Sequence, residues 1–341
     1  MTRIRASDTL YLASPPYASL NVNDMKYPKG HIVFVLIASA SLLALLLWDA
    51  SVTRGQSPSG DKSVGGDQSR VKPTVLVPKG SSATSNDSAL AASAPAAARN
   101  AALSTELNWT FGSKEQHGWY LYTSLIKRLI DTKDDAGTKG FAVALGRWQQ
   151  KSGLKPSGVL DEESLYAMVA QWQAIRIKDR TPALPEALLT APVSDFFDPE
   201  RLEELRQVER ATYAAYKRMV AAALTDRSLG LAQGPKGQLA ASEKFLKIIS
   251  SFRSREYQEK LRRESPQAGT AGLAINSPHF TGRALDLYVG GEPVSTNDAD
   301  RALQVQTPVY QWLVKNAEHF GFRPYFYEPW HWEYVGSAGG K

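Results

Sequence analysis

The sequence predicts an α+β fold for the C-terminal part of the chain, a small antiparallel sheet with flanking helices, preceded by a small three-helix domain and an N-terminal transmembrane helix. Three observations predict it. Residues 32–48 form an apolar run without a charge, and residues 119–169 carry apolar side chains at helical spacing. In residues 285–289 apolar and polar side chains alternate, as in a half-buried strand. The 341-residue chain has room for two domains and their linkers.

The apolar run at residues 32–48 is predicted to be a single-pass membrane anchor. Its length is near the lower limit for crossing a hydrocarbon core of about 30 Å. The segment before it carries the basic residues Arg3, Arg5, Lys26 and Lys29. The positive-inside bias therefore places residues 1–31 in the cytoplasm and the chain after the run outside it. A buried core helix and a cleaved signal peptide starting at Met25 are the alternatives; no clear A-x-A cleavage site follows, which favours an uncleaved anchor.

The composition excludes some classes of site. The chain has no cysteine, so disulfides, thiolate metal sites and a cysteine nucleophile are excluded. The net charge of +6 comes from scattered basic residues, and no nucleic-acid motif is present, so no nucleic-acid partner is predicted. A modest basic surplus suits a protein that works beside an anionic surface. Nothing in the sequence predicts the oligomeric state.

The remaining chain divides by composition. Residues 49–105 are rich in Ser, Ala, Gly and Pro and poor in aromatic residues, which predicts a disordered linker because such a segment buries too little apolar surface. A helical domain, a proline-punctuated linker and a C-terminal domain are then predicted at residues 106–176, 177–197 and 198–341. In the C-terminal domain, Asp198 as a cap and Pro199 at the first helical position predict a helix that continues to Leu224.

Three helices are predicted in the helical domain, at Trp119–Leu129, at Phe141–Lys151 and from Asp161 onward. An aromatic-Gln pair, a Gly-Leu pair, a Gly-Val turn and an acidic residue follow one another at Trp148-Gln149, Gly153-Leu154, Gly158-Val159 and Asp161. This arrangement resembles the three-helix peptidoglycan-binding domain. The resemblance implies that peptidoglycan is a partner, and binding it would keep a neighbouring site close to a polymeric substrate.

The C-terminal domain contains three side chains that suit a metal site. His279 is predicted in a loop, seven residues before Asp286 on the alternating strand. His331 lies in a second, aromatic strand, in which the tryptophans face one side while His331 and Glu333 face the other. Two histidines and one aspartate would leave the fourth position of a tetrahedral Zn²⁺ open, as in catalytic zinc sites. For Glu333 the pattern favours a structural pairing.

Glu328 is the candidate general base. It lies three residues before His331, and Pro329 disfavours a regular strand between them, so a turn is predicted to rotate Glu328 towards the metal without making it a ligand. A carboxylate there can take the proton of a water whose pKa zinc lowers to about 7. His319 is predicted to have a structural role at a helix C-terminus, and His117, in the small helical domain, has no cluster of partners in the sequence. No Ser-His-Asp or Ser-x-x-Lys arrangement favours serine catalysis.

The combined motif has a recognisable spacing, Ser277-x-His279-x-x-Gly282-x-Ala284-x-Asp286 followed by Glu328-x-Trp330-His331. It resembles the VanY-type D-alanyl-D-alanine carboxypeptidases, which belong to a zinc group that also includes D,D-dipeptidases and L-alanyl-D-glutamate endopeptidases. The resemblance covers roughly residues 200–336. It implies that zinc is held by His279, Asp286 and His331 and that Glu328 is the catalytic base.

A segment upstream extends the resemblance. Ser250-Ser251-Phe252-Arg253-Ser254-x-x-Tyr257-Gln258 is similar to the S-x-Y-R-S-x-x-x-Q segment of the family, with Phe252 where tyrosine is commoner. The resemblance implies that Arg253 stabilises the oxyanion or holds a substrate carboxylate, either of which a guanidinium does through paired N–H donors. It also implies that Gln258 and Ser277 contribute to substrate binding.

The predicted function is therefore zinc-dependent hydrolysis of the terminal D-Ala-D-Ala bond of peptidoglycan stem peptides, on the periplasmic side of the cytoplasmic membrane. An L-alanyl-D-glutamate or D,D-endopeptidase with the same site is one alternative, because no motif reports whether the pocket closes around a terminal carboxylate. A non-catalytic peptidoglycan-binding protein is the other. The presence of Glu328 favours an enzyme.

Overall fold

The computed structural model describes residues 83–112, 114–264 and 276–336. The predicted anchor at 32–48, the N-terminal segment and most of the predicted linker lie outside these residues. Across the described ranges, no helix combines the length and the apolar composition that crossing a bilayer requires. These residues form an α+β fold of eight α-helices and three small antiparallel sheets.

The α-helices are α1 (Ala83–Glu106), α2 (Thr123–Leu129), α3 (Lys139–Lys151), α4 (Glu162–Ala174), α5 (Arg210–Thr225), α6 (Arg255–Glu264), α7 (Asp298–Gln306) and α8 (Pro308–Asn316). The strands are β1 (Asn108–Phe111), β2 (Lys114–His117), β3 (Leu188–Thr190), β4 (Gln207–Glu209), β5 (Ile248–Ser250), β6 (Ala284–Leu287), β7 (Phe322–Pro324) and β8 (His331–Tyr334). Strands β1 and β2 form a hairpin, β3 pairs with β4, and the third sheet has the order β5-β6-β8-β7.

The three helices predicted between residues 119 and 174 are confirmed as α2, α3 and α4. The first of them opens with a 3₁₀ turn at Tyr120–Tyr122. Side-chain caps fix the other two: Thr138 accepts a hydrogen bond from a backbone N–H of α3, and Asp161 accepts one from α4. These oxygens satisfy N–H groups that have no partner within the helix.

Helix α1 corrects the prediction of a disordered linker over residues 49–105, because residues 83–106 are helical. Alanine, whose abundance in this segment suggests a tether, is also the residue with the highest helix propensity. Helix α1 packs against α3. Its buried Asn100 donates to the carbonyl of Gly158 (2.8 Å) and accepts from the N–H of Leu160 (2.7 Å). Helices α1–α4 and the β1–β2 hairpin, residues 83–176, are called the helical unit below.

The long helix predicted from Asp198 to Leu224 is wrong in its first half, because α5 begins only at Arg210. The Asp198 carboxylate accepts from the N–H of Glu200, two residues on, which closes a turn instead of starting a helix. The chain then forms β4, and the side chain of Glu209 provides the cap of α5.

The predicted antiparallel sheet of the C-terminal domain is confirmed by the four-stranded sheet. Strand β6 lies inside it, paired with β5 on one side and β8 on the other. The register sets Asp286 opposite Ser250 on β5 and opposite His331 on β8. All four residues of β6 are buried, so this strand has no solvent-facing side.

One apolar core joins the helical unit to the sheet. Phe326, which follows β7, packs against three aromatic rings of the helical unit: Phe111, Tyr122 and Trp172. Arg128 of α2 adds an ion pair with Glu318. Contacts therefore cross the domain boundary that composition predicts near residue 176.

Candidate metal centre

Three elements bring the predicted metal ligands together. His279 lies in a 3₁₀ turn, Pro278–Thr281, which the Ser277 side chain caps and Gly282 ends. Asp286 lies on β6, and His331 is the first residue of β8. All three side chains are fully buried. One ligand atom from each lies within 4.8 Å of the others, so the group could hold a metal ion.

The hydrogen bonds of His279 indicate which ring nitrogen faces the metal position. Its Nδ1 lies 2.7 Å from the carbonyl oxygen of Ser251. Since a carbonyl only accepts, Nδ1 carries the hydrogen, and Nε2 of the neutral ring has a lone pair. Burial lowers the pKa of His279 to about 4, although the Asp286 carboxylate opposes the shift, so the ring is neutral at pH 7.

The lone pair of His279 Nε2 faces Asp286 Oδ2 at 3.3 Å. No described residue donates a hydrogen bond to this buried nitrogen. Two electron-rich atoms held face to face repel each other unless a cation lies beside both. The donor set of imidazole and carboxylate is also one that Zn²⁺ accepts. These residues therefore fit a bound metal.

His331 has a carboxylate at each ring nitrogen. Nδ1 lies 2.9 Å from Asp286 Oδ1, and Nε2 lies 3.2 Å from Glu333 Oε1. Burial opposes a charge on the ring, but both hydrogen bonds outweigh it and raise the pKa of His331 to about 9. Burial likewise raises the pKa of Asp286, yet His279 and His331 hold it below its ordinary value, so Asp286 is ionised. A cation at Nδ1 would take the place of the proton there.

Glu328 lies beside this group without belonging to it. Its N–H donates to the carbonyl of Tyr325 (3.1 Å), and its own carbonyl accepts from the N–H of His331 (2.9 Å). These two turns confirm the predicted departure from a regular strand. The carboxyl group is buried, and its Oε2 has no hydrogen-bond partner in the described ranges. Burial raises the pKa of Glu328 to about 7, with His331 lowering it and Asp286 raising it. Glu328 is thus a carboxyl group that titrates near neutrality.

Arg253 is held against the same carboxylate. Its Nε donates to Ser250 Oγ (3.0 Å) and its Nη2 donates to Asp286 Oδ2 (3.1 Å). Its Nη1 is buried and has no partner among the described residues. Arg253 therefore keeps one set of N–H donors for an anion. Gln258 is buried in α6, and Ser277 is buried at the start of the His279 turn; for both, a substrate-binding role stays a prediction.

The structure adds a pair that the sequence does not predict. Glu333, on the His331 side of β8 as expected, accepts from Arg176 Nε (3.0 Å) and from the N–H of Ile177 (2.8 Å). Burial raises the pKa of Glu333, but Arg176 outweighs this and lowers it, so the carboxylate is ionised. Arg176 and Glu333 are separated by 157 positions. No local pattern in the sequence signals their contact.

Comparison with known protein families gives a match in the C-terminal part of the chain. Residues 236–337 match the family described as D-alanyl-D-alanine carboxypeptidase, VanY. The match includes the three ligand candidates together with Arg253 and Glu328, and it covers less than a third of the chain. The helical unit lies outside it. Comparison with curated proteins finds no match.

Proposed function

Since residues 236–337 are a VanY-type domain, we propose that the protein is a zinc-dependent D,D-carboxypeptidase that hydrolyses the terminal D-Ala-D-Ala bond of peptidoglycan stem peptides. The family supports a peptidase. The proposal adds the zinc ion, the bond that is cleaved and the substrate. Each of these is argued from the side chains of the site.

The observation that carries the proposal is the geometry of His279 and Asp286. A lone pair of His279 faces an ionised Asp286 oxygen at 3.3 Å, with Nδ1 of His331 on the other oxygen. His279 Nε2, an Asp286 oxygen and His331 Nδ1 converge on one buried position, where a metal ion would replace the proton on His331 Nδ1. When bound there, zinc would polarise the scissile carbonyl and lower the pKa of a water molecule.

Glu328 supplies the proton transfer. As a carboxylate it accepts the proton of the attacking water, and as the acid it then donates this proton to the departing amine. A pKa near 7 suits both steps, because the group is present in each form at neutral pH. Its buried Oε2 makes no hydrogen bond that would hold it away from the substrate.

Arg253 binds negative charge. Its Nη1 points to no described acceptor, whereas Nε and Nη2 fix the plane of the guanidinium. Nη1 can therefore donate to the oxyanion that forms on the scissile carbonyl, or to the terminal carboxylate of the substrate. The second contact would favour a carboxypeptidase over an endopeptidase.

The proposal extends to location. With residues 32–48 as an anchor in the cytoplasmic membrane, the site would lie on the periplasmic side, where peptidoglycan is found. The helical unit, by its resemblance to peptidoglycan-binding domains, would hold the protein on that polymer. Both steps rest on the sequence alone.

The test is to incubate the purified full-length protein, loaded with zinc, with a soluble stem pentapeptide and with purified peptidoglycan, and to identify the products by mass spectrometry. Release of single D-alanine residues is expected from wild type and not from His279→Ala. His319→Ala is the matched control, because His319 is exposed at the end of a 3₁₀ turn, and it should keep wild-type activity.

Other products would change the assignment. Larger fragments from peptidoglycan, without D-alanine, would indicate an endopeptidase that uses the same site. A zinc-loaded wild type that sediments with peptidoglycan and releases nothing would instead support the non-catalytic binding protein.

A further inference from the structure

Beside the metal centre lies a carboxylate, Glu333, whose ion-pair partner Arg176 comes from the helical unit. Glu333 is fully buried and receives four donors: Nε and Nη2 of Arg176, the N–H of Ile177, and Nε2 of His331. Three of these four lie just after α4, outside the VanY-type region. The carboxylate of Glu333, which faces the candidate ligand His331, is therefore held mainly by residues outside the VanY-type region.

Arg176 is itself fixed on both sides. Its guanidinium carbon lies 3.8 Å from the ring centroid of Tyr325, and its Nη1 donates to Gln173 Oε1 on α4 (3.0 Å). The N–H of Tyr325 in turn donates to the carbonyl of His331 (3.0 Å). Helix α4 thus sets the position of Arg176 from one side. On the other side, Tyr325 is hydrogen-bonded to β8, the strand that carries His331.

The contact between Arg176 and Glu333 determines the orientation of the His331 ring. A histidine that binds a metal through one nitrogen commonly donates its other N–H to a carboxylate, which fixes the orientation of the ring. At His331 that carboxylate is Glu333, and Nδ1 then faces Asp286 and the metal position. With Arg176 removed, Glu333 would lose two of its four donors in a place that solvent does not reach. The pair with His331 would then lose its fixed geometry.

We propose that Arg176 is a positioning residue of the metal centre, which acts through Glu333 to orient His331, so that the helical unit is part of the peptidase and not only an appended binding domain. The inference rests on the metal centre of the proposed function. It assigns no contact between Arg176 and substrate.

The test compares zinc affinity, by competition with a chelator, and the visible absorption spectrum of the Co²⁺-substituted protein. Arg176→Met removes the donors and keeps an unbranched side chain. We expect zinc affinity about 10–100-fold weaker and a changed Co²⁺ spectrum. Arg176→Lys, which keeps the charge, should recover part of the affinity. Arg128→Met is the matched control, since it breaks another ion pair between the helical unit and the C-terminal domain, with Glu318 in the 3₁₀ turn before β7; its affinity and spectrum should equal those of wild type.

A double-mutant cycle with Glu333→Gln separates positioning from general stability. Because Arg176 acts through Glu333, Arg176→Met should weaken zinc binding no further in a Glu333→Gln background. The double variant also leaves no unpaired buried charge, so it is expected to fold if Arg176→Met alone does not. Wild-type affinity and spectrum in Arg176→Met, or a full additive loss in the double variant, would overturn the inference. Failure of wild type to bind zinc would instead overturn the proposed function.

Discussion

At the scale of single residues, the proposed reaction depends on which groups carry protons. His279 is neutral with its lone pair towards Asp286, Asp286 is ionised, and Glu328 titrates near neutrality. These states follow from burial and from the partner at each atom. Together they give a candidate metal position with a neutral histidine nitrogen and a carboxylate oxygen, beside a carboxyl group that can exchange a proton.

The pH dependence of activity follows from Glu328. Below its pKa the group is protonated and cannot accept the proton of water, so kcat/KM should fall about tenfold per pH unit on the acid side. Burial places this pKa at about 7. A bound cation nearby favours the carboxylate, so the midpoint should lie at or below that value. The measurement is the pH profile of D-alanine release; a rate that stays constant from about pH 5 to about pH 8 would contradict the role of Glu328.

At the scale of elements, the turn that carries His279 depends on Gly282. This residue has φ +65°, and an added Cβ would lie 2.9 Å from Leu188 Cδ2 and 3.0 Å from the nitrogen of Glu209. The carbonyl of Gly282 also accepts from the Glu209 N–H. Close packing against β3 and β4 thus adds to the ordinary strain of a left-handed residue.

Gly282→Ala should therefore lower stability more than Gly230→Ala. Gly230 has nearly the same φ, +63°, with nothing within 4 Å of the added Cβ. We expect about 1–2 kcal/mol from the conformation at either site and about 1–3 kcal/mol more at Gly282 from overpacking. Urea unfolding of the two variants measures the difference. Equal losses of unfolding free energy in the two variants would contradict this prediction, because the residues around Gly282 would then make room for the added methyl group without destabilising the fold.

The helices differ in whether neighbouring residues in the sequence are enough to predict them. Helices α3 and α4 could be predicted because spacing and cap lie within the same few residues. The start of α5 could not, because Asp198 can cap a helix or close a turn and only the pairing of β4 with β3 selects the turn. The sequence does not predict helix α1, because nothing near this alanine-rich segment indicates the distant partners that hold it, such as those of Asn100.

At the scale of the whole molecule, the helical unit and the sheet share one core. Phe326 lies where the two parts meet. Its ring centroid is 4.8 Å from that of Phe111 and 5.7 Å from that of Trp172. The two parts should therefore unfold together. The residues of the candidate metal site could be predicted from short motifs, whereas this junction and the Arg176–Glu333 pair join residues more than 150 positions apart and leave no local pattern.

Unfolding in urea should show one transition, with the same midpoint by far-UV circular dichroism and by tryptophan fluorescence. Phe326→Ala should lower the free energy of unfolding by about 3–5 kcal/mol and shift both signals together. Leu303→Ala, at an exposed position on α7, is the control and should change it by less than about 0.5 kcal/mol. Two separate midpoints in wild type would contradict a shared core.

In the proposed mechanism, zinc held by His279, Asp286 and His331 works with Glu328 as the base, and the Glu328→Gln variant tests it. The measurement is the rate of D-alanine release from a stem pentapeptide, made on samples whose zinc content has been determined. We expect the variant to hold as much zinc as wild type and to release D-alanine about 10²–10⁴-fold more slowly. A zinc-loaded variant that releases D-alanine at the wild-type rate, or a variant that no longer holds zinc, would contradict it.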